Sequence, residues 1–204
     1  MKKLLAALAI VFTMVACSPV ASQEYKSITD STFPLVTISG NPYCTATRVS
    51  EELLLTAAHC LENGMGGMIH RKDGQLVSFV VVKADRNIDI ALIKARVDGR
   101  IARLQTFEPE VYSEIVVAGY PVGVAMFITV GKWVGPIWDP IMAAAHSVAA
   151  VSVGPGNSGG GLWTKESGEY RLLAVVQMYA PAAPHVCVVS KLQTLKDFLS
   201  DQTL

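Results

Sequence analysis

Short apolar, β-branched segments recur from Phe33 to Ser190, each soon cut off by glycine, proline, asparagine or a charge. They read "FPLVTI", "CTATRVS", "LLLTAA", "LVSFVVVKA", "IALIKA", "EIVVAGY", "MFITVGKWV", "RLLAVVQMY" and "VCVVS". A chain interrupted this often cannot form long amphipathic helices, and it lacks the strand and helix alternation of a parallel α/β sheet. The pattern predicts an all-β protein, a barrel or sandwich. Helical spacing is confined to Ser190 to Ser200, where Leu192, Leu195, Phe198 and Leu199 share one side and Ser190 could cap. The turn-prone "RLQTFEPEVYSE" around Glu108 and Pro109 divides the strands into two sets, predicting one β-barrel over 33–108 and a second over 109–204 that ends in the helix. Residues 17–32 are polar and read as a linker.

The first sixteen residues combine two lysines with an apolar run from Leu4 to Ala16 and then small residues, the layout of a secretory signal peptide over 1–16. That run is too short to span a bilayer comfortably. "MVAC" resembles the lipobox of bacterial lipoproteins, with Met14 where leucine is usual, so two readings stay open. Either Cys17 is lipidated and tethers the chain to a membrane, or the signal is cleaved a few residues later. Both imply export, to the periplasm or cell envelope as a lipoprotein, or as a secreted protein.

Export permits disulfides. With Cys17 assigned to the signal, Cys44, Cys60 and Cys187 remain. Cys44 and Cys60 flank an apolar hairpin pattern and form the expected bridge, worth about 3 kcal/mol in the chain-entropy description. Cys187, inside "HVCVVS", reads as a buried free thiol. Lys plus Arg and Asp plus Glu both number 17, and no like-charge run suggests a nucleic-acid groove or an acidic tail.

"VSVGPGNSGGGLW" concentrates glycine around Ser158. Such a stretch could be a plain surface loop. It could also be a turn built for chemistry, because a serine hydroxyl needs a base to take its proton and donors to hold an oxyanion. In that reading the Gly156 and Ser158 N–H groups make the oxyanion hole, while Gly159 and Gly160 leave room for a substrate backbone. Two further stretches favour chemistry. "LLLTAAHC" places His59 directly after a buried-looking strand, and "NIDIALIK" sets Asp89 among apolar neighbours, where a carboxylate needs a hydrogen-bond donor such as an imidazole.

Together "TAAHC", "DIAL", "GYPVG" and "GNSGG" resemble, in order, the chymotrypsin-like (trypsin-like) serine proteases, over about residues 33 to 200. The resemblance implies two perpendicular six-stranded antiparallel barrels with the catalytic residues between them. Ser158 would be the nucleophile, His59 the general base, and Asp89 the residue that orients the imidazole and stabilises its charged form. Asp85 is the weaker candidate for that third role. Asn157 stands where digestive and clotting relatives carry aspartate, and nothing near Phe33 resembles their "IVGG" start, so activation by a new N-terminus is not expected. The "PGNSGG" form is closer to bacterial exported proteases such as the glutamyl endopeptidases and the high-temperature-requirement group. Arg48 and Ala46 depart from the family pattern and could alter the leaving-group side of the cleft.

By family layout the primary pocket is lined by Ser152, Val153 and Gly154 and by Gln177, Met178, Tyr179 and Ala180. None is acidic, which argues against a preference for arginine or lysine. Tyr179 could cap that pocket or face away as barrel packing. His70, His146 and His185 lie in separate segments without the paired spacing of a zinc helix, and "ENGMGGMIHRKDG" has too few carboxylates for a calcium loop. No metal or cofactor is expected, and Trp133, Trp138 and Trp163 read as core or rim aromatics. The expected function is exported serine endopeptidase acting on proteins or peptides; the alternative is a protease-like binding or scaffold lipoprotein with little or no turnover.

Overall fold

A computed structural model describes residues 23–64, 67–137 and 144–202. The signal over 1–16, Cys17 and Trp138 lie outside the described residues. A six-residue helix, α1 (Lys26–Ser31), leads into β1 (Thr32–Val36), β2 (Pro42–Arg48) and β3 (Leu53–Thr56). A 3₁₀ segment, Ala58–Gly64, follows, then β4 (Met68–His70), β5 (Leu76–Ser78), β6 (Val80–Asp85) and β7 (Ile90–Lys94). The second half holds β8 (Glu114–Gly119), a 3₁₀ turn at Pro121–Gly123, β9 (Phe127–Pro136), β10 (His146–Ala150), β11 (Gly161–Glu166), β12 (Glu169–Ala180) and β13 (Ala183–Ser190). Helix α2 (Leu192–Leu199) comes last.

The strands form two antiparallel sheets. The second is a closed six-stranded barrel, β10-β13-β12-β11-β8-β9. The first has seven strands, in the order β5-β4-β1-β2-β3-β7-β6, where the family resemblance suggests six. Its edge strands β5 and β6 are separated in the chain by Phe79 alone, so the sheet's ends meet through a bend in the chain and not through a ladder of hydrogen bonds.

Near-continuous apolar runs such as "LLL" and "IVVA" are explained by cover on both faces of these strands. Leu54 and Ile93 turn inward, joining Phe33, Leu35 and Ile69 within the first sheet. Their neighbours Leu55 and Leu92 turn outward and meet Val116, Trp163, Leu172 and Val175 of the barrel. On β8 the same alternation sends Ile115 and Val117 to the barrel interior beside Trp133 and Val189, and Val116 and Ala118 to the shared core. Each such Leu, Ile or Val contributes roughly 1.5–3 kcal/mol on burial. Leu195, Phe198 and Leu199 of α2 also enter the shared core, so the terminal helix docks across both halves.

Two local expectations are corrected. The segment read as a linker contains α1, whose Ile28 is fully buried in the shared core. Beside it Tyr25 packs against Tyr170 with ring centroids 5.6 Å apart, and Glu24 accepts from Lys165 Nζ at 2.7 Å. One apolar residue in "KSITDS" is too few to show as a periodic pattern. Ser190 does not cap α2: the cap position is Lys191, without a side-chain bond, and Ser190 Oγ instead accepts from the Val175 N–H at 2.9 Å. Cys187 is fully buried and unbridged, and burial pushes its thiol up to about 12.

Candidate active site

His59 sits in the first turn of the 3₁₀ segment that leaves β3. The next residue, Cys60, is disulfide-bonded to Cys44 on β2 with an S–S distance of 2.00 Å, which fixes the base of that turn to its neighbouring strand. Asp89 ends the tight turn between β6 and β7 with φ +50, a left-handed backbone that a non-glycine residue adopts only when held there. Its two carboxylate oxygens are both used by one partner residue. Oδ1 accepts the His59 backbone N–H at 2.9 Å, and Oδ2 accepts from His59 Nδ1 at 2.8 Å. A carboxylate only accepts, so Nδ1 carries the proton and Nε2 of the neutral ring keeps its lone pair. Asp85 is turned to another task, accepting the Asn87 N–H at 2.8 Å.

Ser158 lies in the same cleft as His59 and Asp89, a cavity of about 560 Å³ between the two halves. Its turn is clamped by the first sheet. Thr45, fully buried on β2, donates its N–H to Ser158 O at 2.8 Å and its hydroxyl to Gly156 O at 2.7 Å, and accepts from the Tyr120 N–H at 3.1 Å. Nothing in the sequence marks this threonine, since an isolated Thr in a strand is ordinary and its partners lie more than seventy residues on.

The glycines answer two demands. Gly156 has φ +95, and a Cβ there would stand 2.3 Å from Tyr120 O. Gly159 has φ +82, and a Cβ would stand 2.1 Å from Thr56 Oγ1 and 2.2 Å from Thr45 O. At Gly160 the obstacle would be Ala118 O, at 2.5 Å. Gly159 and Gly160 thus make room for the protein's own strands, and not for a substrate backbone as the sequence suggested. Asn157 is buried, its Oδ1 against Gly119, and its backbone closes the turn through the Gly154 and Gly160 bonds of 3.0 and 2.9 Å. The turn is therefore formed with a neutral residue at that position. Among the described residues, neither the Gly156 nor the Ser158 N–H donates to a protein acceptor.

Of the expected pocket residues, Gln177, Met178 and Tyr179 line this cleft, while Ser152, Val153 and Gly154 do not. Ser152 Oγ instead bonds His185 Nδ1 at 2.7 Å on an exposed part of the barrel. Gln177 is 4 % exposed, with its amide consumed by protein partners. Arg48 is directed away from the cleft, donating to Gly99 O and to Glu51 O, and Ala46 is buried in the first sheet. Cys44, His59 and Cys60 bring three potential metal-ligand atoms within 4.8 Å of one another, but the disulfide ties up both sulfurs, and a metal would need thiolates.

A family profile for the trypsin-like peptidase domain matches residues 44–175. Curated protein sequences give no match. Among solved structures, the Rv3671c protease of M. tuberculosis in its inactive form is similar with a TM-score of 0.73 at 19% identity, over 89% of this chain and 93% of that one. The serine endoprotease from Yersinia pestis gives 0.72 at 13%, over 88% and 66%. The HtrA-type protease AlgW with tripeptide gives 0.74 at 17%, over 88% and 62%. This chain thus spans about two thirds of the length of the last two. At these identities the structures speak for the double-barrel fold alone, which is chymotrypsin-like. The profile covers most of the chain, including His59, Asp89 and Ser158, and so places the protein in the trypsin-like peptidase family.

Proposed function

We propose that the chain is an exported serine endopeptidase that cleaves proteins or peptides through an acyl-enzyme. The observation that carries this is the doubly bonded His59–Asp89 pair in one cleft with Ser158, whose turn holds two uncommitted N–H groups. His59 Nε2 takes the Ser158 hydroxyl proton as Oγ attacks the scissile carbonyl carbon, and the oxygen that becomes anionic is held by the Gly156 and Ser158 N–H groups. The imidazolium, steadied by Asp89, returns the proton to the leaving amine as the C–N bond breaks. Water, activated by the same imidazole, then releases the acyl group and restores the serine. Export rests on the N-terminal signal pattern, which fits either a lipid tether at Cys17 or cleavage a few residues later.

A fluorophosphonate probe tests the reading directly. The mature protein is expected to be labelled, Ser158→Ala is expected to lose the label, and His59→Ala should lower kcat by about 10⁴-fold or more with the fold intact. Folded wild-type protein that neither labels nor cleaves a peptide library would leave the scaffold alternative standing.

A further inference from the structure

We propose that Gln177 is a positioning residue that aims the Asp89 carboxylate, and that His146 sets the direction of its amide; this rests on the reading of His59, Asp89 and Ser158 above. Asp89 holds a left-handed backbone at φ +50, so its turn needs restraint beyond its own torsions. The restraint comes from the opposite half of the molecule. Gln177, on β12 of the barrel, sends Nε2 to Ile88 O at 2.6 Å and to Asp89 O at 3.1 Å. Both partners are carbonyls of the turn that carries the carboxylate, so the bond fixes the peptide planes on which the aim of Asp89 depends. His59 occupies the carboxylate itself. The grip on the main chain and the use of the side chain are therefore separate.

A glutamine amide could rotate and present its oxygen to those carbonyls, which would repel them. The carbonyls therefore call for the amide nitrogen, and His146 holds the oxygen on the other side. Its Nδ1 lies 2.8 Å from Gln177 Oε1, an atom that can only accept, so Nδ1 must carry the proton. Gln177 is buried, and a reversed amide would turn its oxygen on the Ile88 and Asp89 carbonyls and leave both without their donor, a loss that a change of His146 tautomer does not repair. The chain from β10 through Gln177 to the Asp89 turn is thus satisfied in one sense only. The two ends of the chain stand in the same cleft as Ser158.

The test compares Gln177→Glu, His146→Phe and His146→Asn in the mature protein, with thermal unfolding to confirm folding. Gln177→Glu keeps the shape and removes the donor, and is expected to lower kcat about 10²-fold with KM nearly unchanged, as a misaimed group does. His146→Phe removes the donor to Oε1 and should cost roughly tenfold in kcat, whereas His146→Asn restores a donor at the same place and stays within about twofold. The low-field proton resonance of the His59 Nδ1–H bond to Asp89 should broaden or shift upfield in Gln177→Glu and His146→Phe and persist in His146→Asn. Unchanged kcat and an unchanged resonance in folded Gln177→Glu would overturn the proposal. If the wild type shows no turnover the reading of the site fails, and the resonance still decides whether Gln177 and His146 hold Asp89.

Discussion

At the scale of single residues, the glycines around Ser158 have individual reasons that composition conceals. Gly159→Ala would force a left-handed alanine whose Cβ meets backbone and side-chain atoms of β2 and β3 at 2.1–2.2 Å. We expect a loss of at least about 2 kcal/mol, which for a chain of this size lowers Tm by roughly 4–8 °C in a thermal scan. Peptidase activity should fall with it, since the strands it would displace include the Thr45 clamp. His59, Asp89 and Ser158 were legible because each sits inside a short local pattern: an apolar strand running into His-Cys, a carboxylate stranded among apolar residues, a serine in a glycine turn. Thr45 and Gln177 were not legible as clamps. Their work is done by side-chain bonds to main-chain atoms 111 and 88 residues away, and a threonine or glutamine in a strand carries no local mark of such a partner.

At the scale of elements, period-two alternation located the strands, and the apolar spacing of α2 predicted all four of its buried side chains. Helix α1 escaped because it is short and polar and is held by contacts with strands far along the chain. Its docking depends on pH in a definable direction. The Lys165 ammonium, hydrogen-bonded to Glu24 and beside it, holds that carboxyl below its ordinary value. A carboxyl lowered by folding stabilises the docked state above its ordinary range, and that stabilisation is lost as pH falls toward the folded-state value. Amide exchange in residues 23–31 should therefore speed up in acid before that of β10 to β13. If both accelerate together, α1 is not held by this pair.

At the scale of the whole molecule, the two halves are joined by a core to which both contribute, together with α2. Leu55, Ile90 and Leu92 come from the first sheet, Val116, Trp163 and Val175 from the barrel, and Leu195 and Phe198 from α2. Phe198→Ala, far from Ser158 in sequence, is expected to destabilise by about 3–4 kcal/mol and to lower activity through loss of the relation between the halves. Chemical denaturation with parallel activity measurement checks both. An unchanged midpoint would show that α2 merely decorates the surface.

The Thr45 clamp has a temporal corollary. A strand made early in synthesis gives shape to a serine turn made more than a hundred residues later, so neither segment alone carries the bonds that hold the turn. On the reading proposed above, reactivity at Ser158 would arrive only once the first sheet has closed on that turn.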